Sequence, residues 1–389
     1  MKAENLLPVD GTTGTLIGRA NIPGDPGGPS PVLISGDNVS DLSSIAATVS
    51  DLLNGDDPVG MIKAAADLPV IGSLDDLAAN SVAATQDASR PWLLAPVDLQ
   101  AIKAAGVTFV KSMVERVIEE QAQGDPTRAN DIRDKIKAEV GSDLTSIKPG
   151  SPDAEKLKQA LIERGLWSQY LEVGIGPYAE VFTKAQPLSA VGPGAEIGIH
   201  PESTWNNPEP EVVMIANARG ETIGATLGND VNLRDFEGRS ALLLGKAKDN
   251  NASCALGPFI RLFDDTFGID DVRSTVVKLN VQGPEGYTLD DQSSLSEISR
   301  DPLDLVAQTI GAVHQYPDGL ALFTGTMFAP VLDRDAPGMG FTHKIGDVVT
   351  ISADKFGALT NQVTYSDKAS PWTFGISALM KNLSARGLL

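Results

Sequence analysis

The spacing of apolar positions changes twice along the chain, and the changes divide it. Before residue 90 the apolar residues come in short runs, Gly14–Ala20 and Pro31–Ser35, separated by the Gly/Pro-rich stretch from Ile22 to Pro31. Runs of that length between turn residues predict strands. A longer periodic stretch, Val39–Asn54, predicts a helix with Asn38 or Ser40 as its cap. Residues 1–90 are therefore expected to form a small α+β domain, and they hold no cluster of catalytic residue types.

From Pro91 to about Leu171 the apolar residues recur at helical spacing, over Asp98–Ala105, Thr108–Gln123, Pro126–Val140 and Ala154–Gly165. Ser151 ahead of Pro152 is a helix-start signal: a Ser oxygen satisfies free amides of the first turn, and Pro lacks an amide that would go unbonded there. From about Gly174 onward, turn residues return every 8 to 15 positions between runs rich in Val, Ile, Thr and Phe. That spacing predicts a mainly β core, with one helix over Pro302–Val313 and Gly346-Asp347 turning into a strand. The expected fold class is α+β, with the small domain of residues 1–90 joined to a larger, mainly β domain of residues 91–389.

Candidate chemistry concentrates at one hairpin. Val212–Ala216 and Glu221–Leu227 flank Arg219-Gly220, which predicts two strands and a two-residue turn. Pairing Ala218 with Glu221 and counting outward sets Glu209 opposite Asp230. Glu209 and Glu211 are two apart and share a face of an extended strand, and Asp230 projects on that face from the partner. Three carboxylates at cross-strand distance repel one another unless a cation lies between them. Oxygen ligands select a hard ion, Mg²⁺, Mn²⁺ or Ca²⁺, over zinc, and three of them leave coordination positions for water or a chelating substrate. The same acids on an exposed edge would simply be solvated, and periodicity does not choose between the two.

Charge narrows the partners. With 51 acidic and 31 basic residues the formal charge is -20, which disfavours nucleic acid and anionic membrane surfaces. A small acid remains admissible where a metal supplies local positive charge. The 389 residues are 42% hydrophobic, enough to fill two unequal cores. No apolar run reaches bilayer length and the first ten residues carry no apolar core, so a cytoplasmic location is expected. The single cysteine, Cys254, permits no intramolecular disulfide and is expected to be a small buried hydrophobe.

Several segments, in order from about Trp92 to Val363, resemble the fumarylacetoacetate hydrolase superfamily. Pro208-Glu209-Pro210-Glu211-Val212-Val213 and Gly228-Asn229-Asp230-Val231-Asn232-Leu233-Arg234-Asp235 are similar to its metal-binding Glu-x-Glu and Asp segments. Phe182 to Ser189 with Gly192-Pro193-Gly194 resembles its lysine-containing strand and Gly/Pro turn, which places Lys184 among the substrate-binding candidates. Ala247-Lys248, with Cys254, Gly257 and Pro258 following, resembles the segment whose lysine faces the metal-bound substrate; spacing favours Lys248 over Lys246. Gly346-Asp347 and Gly357-Ala358-Leu359-Thr360-Asn361 match its closing strands. The resemblance implies the superfamily's mixed β-sheet roll, a metal triad of Glu209, Glu211 and Asp230 holding Mg²⁺ or Mn²⁺, and a homodimer or homotetramer.

It also implies roles beyond the triad. Lys248 is the expected base, since burial and a neighbouring cation both disfavour an ammonium. Glu180 falls where related dehydratases carry a second acid. Thr326 resembles a threonine that hydrogen-bonds the substrate carboxylate, and Ser112 and Arg116, four apart on one helical face, are further candidates for it. The histidines His200, His314 and His343 stand in no context matching the His and Glu pair of the name-giving hydrolases. The chemistry implied starts from a 2-oxo acid chelated by the metal, whose C3 proton is acidified as an enolate forms. The Lys segment and the run Arg234-Asp235-Phe236-Glu237-Gly238 look most like the 2-keto-3-deoxy-pentonate (D-xylonate or arabinonate) dehydratases, which implies loss of water to 2,5-dioxopentanoate. Acylpyruvate hydrolysis or oxaloacetate decarboxylation on the same scaffold is the alternative within enzymes, and a non-catalytic metal or sugar-acid binding protein the alternative outside them.

Overall fold

Runs of branched apolar residues become strands, and most of those strands join one sheet. The computed structural model describes all residues except 124, 126, 130–131, 133–146, 164, 166, 329–331 and 337–339. The first segment supplies β1 (Leu16–Ile22), β2 (Gly28–Ser35), β3 (Asn38–Asp41) and β4 (Val70–Ser73). The second supplies β5 (Trp92–Leu94) and β6 (Ala101–Gly106). Twelve more follow: β7 (Glu180–Ala185), β8 (Glu196–Ile199), β9 (Asn206–Asn207), β10 (Pro210–Ala216), β11 (Thr222–Asp230), β12 (Asn232–Leu233), β13 (Cys254–Leu262), β14 (Val276–Gln282), β15 (Thr288–Ser294), β16 (Leu320–Phe323), β17 (Val348–Ala353) and β18 (Gly357–Tyr365).

The large sheet runs β4-β3-β2-β1-β13-β11-β10-β16-β6-β7, with β5 joined to β1. Its β16–β6 pair is parallel. The N-terminal strands extend the sheet that carries β10 and β11 through the β1–β13 pair, and residue 90 falls in the connection leading into β5. A second sheet, β15-β14-β17-β18-β8, lies over one face. Between the sheets, Val212 and Met214 of β10 and Leu227 of β11 pack with Leu279, Val281 and Ile351. On the opposite face Val213 and Ile215 pack with Ile102, Leu256, Ile260 and Phe323. Strand β10 is thus buried on both sides, which is why Val212–Ala216 is apolar without alternation. Among the described residues no helix is long and apolar enough to cross a membrane.

The hairpin register comes out as counted, by a different route. The turn has three residues, because Asn217 N–H donates to Glu221 O at 3.0 Å. A bulge at Ile223 follows, where Ala216 pairs with Thr222 but Ile215 with Gly224. One residue fewer in the pairing at the turn and one more in the bulge cancel. Pro210 therefore pairs with Asn229, and Asp230 N–H donates to Glu209 O at 3.0 Å.

Two expected helices are corrected. Of Val39–Asn54 only Val49–Asn54 is helical, and its cap is Thr48, whose oxygen accepts from Asp51 N–H, not Asn38 or Ser40. Val39 and Ser40 instead pair with β2 and β4. Asp98–Ala105 contains β6, whose Ala-rich composition suits a helix in isolation but whose amides are engaged between β16 and β7. The helix expected over Thr108–Gln123 spans Val110–Ala122, and that over Pro302–Val313 spans Pro302–Thr309. Pro152–Glu163 forms behind Ser151, whose Oγ accepts from Ala154 N–H at 3.2 Å. The helix expected over Pro126–Val140 lies largely outside the described residues.

Gly228 sits opposite Glu211 across the hairpin. A Cβ there would lie 2.3 Å from Phe323 Cε1 and 2.8 Å from Val213 Cγ2. Gly228→Val is expected to lower the unfolding free energy by about 1–3 kcal/mol through overpacking. A urea denaturation midpoint equal to that of the unsubstituted chain would show that Phe323 yields freely.

Candidate metal centre

The end of the β10–β11 hairpin gathers acids inside the protein instead of on its surface. Glu209, Glu211 and Asp230 are 4%, 2% and 1% exposed, so solvation as a bare edge is excluded. One oxygen from each lies within 4.8 Å of the others. The pleat sets this distance, since Glu209 and Glu211 are two apart and Asp230 lies across from Glu209.

The three acids are compensated unequally. Asp230 meets Lys184 Nζ at 2.8 Å and Lys248 Nζ at 2.9 Å. Glu209 takes Lys248, Arg116 and, at 3.1 Å, Asn232 Nδ2. Among the described residues Glu211 accepts only the Gly325 amide, at 2.6 Å. That amide is available because Gly325 takes φ +92°, where a Cβ would also lie 2.0 Å from Thr108 Oγ1. Burial, then the Asp230 and Glu209 charges, push Glu211 well above the ordinary carboxylate range. Asp230 goes the other way: burial would raise it, but Lys184 and Lys248 hold it down.

These residues fit a divalent cation. Three buried carboxylate oxygens within reach of one point are a hard donor set, and Glu211 lacks the counter-charge that such an ion would bring. The cavity at this point has a free volume of about 20 Å³, room for one ion or water. Lys248 faces it, whereas Lys246 is exposed, with its Nζ 3.3 Å from His200 Nε2. Burial alone would favour neutral Lys248, as the sequence suggested, but Asp230 and Glu209 reverse the sign and hold its ammonium above the ordinary range.

The other candidates divide into those that line the cavity and one that does not. Ser112, Arg116, Glu180 and Thr326 line it with the triad and Lys248. Arg116, from the helix Val110–Ala122, bridges Glu209 to Glu119 at 2.7 Å and Glu237 at 2.8 Å. Ser112 Oγ donates to Phe109 O at 2.9 Å, and Thr326 Oγ1 donates to Pro210 O at 3.1 Å. Burial, reinforced by the Glu237 charge, pushes half-buried Glu180 up to about 7. Lys184 stands behind Asp230, fully buried, donating to the Val231 and Lys248 carbonyls and Ser253 Oγ. It positions a ligand and does not reach the cavity.

Sequence reasoning gave no role to Glu237, Glu119 or Asn232. Glu237 lines the cavity, and Glu119 ties Arg116 to Arg234, 2.6 Å away. The only signal for Glu237 was its place in the run after Asp230. Cys254 is buried, its thiol pushed up to about 12 by burial, an unreactive core residue.

The family described as fumarylacetoacetate (FAA) hydrolase C-terminal matches residues 171–364. A protein of Haloferax volcanii named "Probable 2-keto-3-deoxyxylonate dehydratase" is 32% identical over 202 residues, 52% of this chain and 66% of its own length. One of Saccharolobus solfataricus named "2-dehydro-3-deoxy-D-arabinonate dehydratase" is 30% identical over 184 residues, 47% of this chain and 58% of its own. The chain thus matches less than two thirds of the length of these relatives. In fold it is similar to "2-keto-3-deoxy-D-arabinonate dehydratase complexed with magnesium and 2,5-dioxopentanoate", with a TM-score of 0.62 at 19% identity, over 90% of this chain and 99% of that one. Residues 171–364, which contain the triad, Glu180, Lys248 and Thr326, are the part of the chain that matches the fumarylacetoacetate (FAA) hydrolase C-terminal family.

Proposed function

We propose that the chain is a hydro-lyase that removes water from a 2-keto-3-deoxy-pentonate, the D-xylonate or arabinonate form, giving 2,5-dioxopentanoate, with Mg²⁺ or Mn²⁺ at Glu209, Glu211 and Asp230 and as a homodimer or homotetramer. Supporting this are the names of the two curated relatives and the ligands named with the similar solved structure. The observation in the chain itself that favours elimination over hydrolysis is Glu180, an acid raised to about 7 beside Lys248, with no histidine lining the cavity.

A divalent ion bound there would supply Lewis-acid polarisation of a chelated 2-oxo acid, worth several kcal/mol of charge stabilisation. The residues divide the remaining work. Arg116, with Ser112 and Thr326 beside it, receives the substrate carboxylate in place of Glu209. Where a bound cation would take over Glu209 and Asp230, Lys248 releases its ammonium proton to water, and the neutral amine then takes the proton from C3. Glu180, protonated near neutral pH, donates to the departing C4 hydroxyl, so that one water leaves. The purified chain with Mg²⁺ should convert 2-keto-3-deoxy-pentonates to 2,5-dioxopentanoate and lose this activity in EDTA; turnover of acylpyruvate or oxaloacetate instead would replace the reading with hydrolysis or decarboxylation.

Three further outcomes are expected. Added Mg²⁺ should stabilise the chain by about 2.7 kcal/mol at a hundred times its Kd, and Glu211→Gln should abolish that gain without destabilising the chain when no metal is added, since it removes a buried carboxylate with one amide partner. Thermal melts with and without Mg²⁺ check both parts. Lys248→Ala should lower kcat by about 10²- to 10⁴-fold while Mg²⁺ still raises the melting temperature; unchanged turnover would remove Lys248 as base. Because Glu180 acts as an acid, kcat should hold below about pH 7 and fall as the pH rises through it. Glu237→Gln removes a charge that raises Glu180, so the alkaline limb should move to lower pH; a limb that stays in place would assign it to another group.

A further inference from the structure

A second cavity, of about 400 Å³, lies where β1 and β5 meet the loop 188–196 and the segment around Phe374. It shares no lining residue with the metal centre. Its floor follows from strand register: Arg19 pairs with Leu94 and Asn21 with Trp92. Opposite residues share a face, and so do residues two apart, so all four project together into the cavity. Leu188, Val191 and Phe374 close the apolar walls.

Arg19 is out of place in such a lining. It is 6% exposed, its Nη1 donates to Val97 O, and its buried Nε has no hydrogen-bond partner among the described residues. Among the described residues no carboxylate lies within 4.0 Å of it as an ion pair. The acid that acts on it from a distance is Asp98, whose oxygens already accept the Val49, Ser50 and Leu99 amides at 2.6, 3.0 and 2.7 Å. A guanidinium offers five donors, and a buried one is costly unless an anion meets it.

We propose that this cavity is a binding site for a small organic monocarboxylate with an apolar body, its carboxylate paired with Arg19. The volume falls in the range of small-molecule sites, which are apolar pockets with a few placed polar groups. Half-buried Glu196, also in the lining, selects against a second negative charge. The walls are held in place without a ligand. Asn361 Nδ2 donates to the Gly192 and Ala195 carbonyls, both at 2.9 Å, and Val191 exchanges hydrogen bonds with Cys254 and Leu256 at 2.9 and 3.0 Å. Loop 188–196 is thereby fixed on β13, and the pocket requires no closure to form.

The test uses the full chain with phenylacetate as probe and 2-phenylethanol as its neutral counterpart, followed by tryptophan fluorescence, which Trp92 reports, and by ligand-observed NMR. Phenylacetate should bind at least about tenfold more tightly than 2-phenylethanol, the difference expected of one charged hydrogen-bonded contact. Arg19→Gln should erase that preference. Ala190→Trp, which fills the cavity and leaves Arg19 intact, should abolish binding of both probes, and it keeps the test open if Arg19→Gln does not fold. Absence of phenylacetate binding, including through self-association that covers the cavity, equal affinity for the two probes, or binding retained in Ala190→Trp would each overturn the proposal.

Discussion

Burying three carboxylates at one point is the constraint around which the rest of the molecule is arranged. Glu209, Glu211 and Asp230 are brought together by strand pairing, and inside a protein such a group is held only by opposite charge or by hydrogen bonds to the charged form. Lys184, Lys248 and Arg116 converge on it from β7, from the short helix Leu244–Lys248 and from the helix Val110–Ala122. Each of those cations is then itself buried and needs an acid or carbonyl. The compensation therefore spreads outward, through Glu237 and Glu119 to Arg234, whose guanidinium lies 4.1 Å over the Trp205 ring.

The sheet makes that arrangement affordable. Strand β10 is flanked by β11 and β16 and covered on both faces, so the acids project from the end of a strand pair held inside the sheet. Gly228 lets Phe323 approach the hairpin closely, and Gly325 turns the chain so that an amide reaches Glu211. Rigid elements hold charged groups to closer tolerance than loops do, which is what a site that binds a small hard ion demands.

The same compensation explains the opposite directions taken by neighbouring acids. Asp230 has two ammonium groups and is lowered, Glu211 has one amide and is raised, and Glu180 is raised by burial with Glu237 beside it. Environment, not residue type, separates a group suited to hold a cation from one suited to carry a proton near neutrality.

The sequence by itself determined what depends on local order. The apolar run of β10, the turn residues after it and the two-residue spacing of Glu209 and Glu211 were legible, because a strand's period is fixed by its backbone. The register to Asp230 was legible too, although it survives only because a longer turn and a bulge cancel. Only the tertiary structure decided the rest. Asp98–Ala105 reads as helix until β16 and β7 engage β6, and Lys184 reads as a substrate contact until Asp230 and three oxygens take up its ammonium. The partners that fix Lys248 as an ammonium lie 18 and 39 residues away in sequence, the charge that helps raise Glu180 comes from Glu237 on another element, and among the described residues Arg19 has no acid in ion-pair contact. Burial and charge pairing act through distance in space, and one-dimensional spacing does not carry that information beyond the reach of a single hairpin.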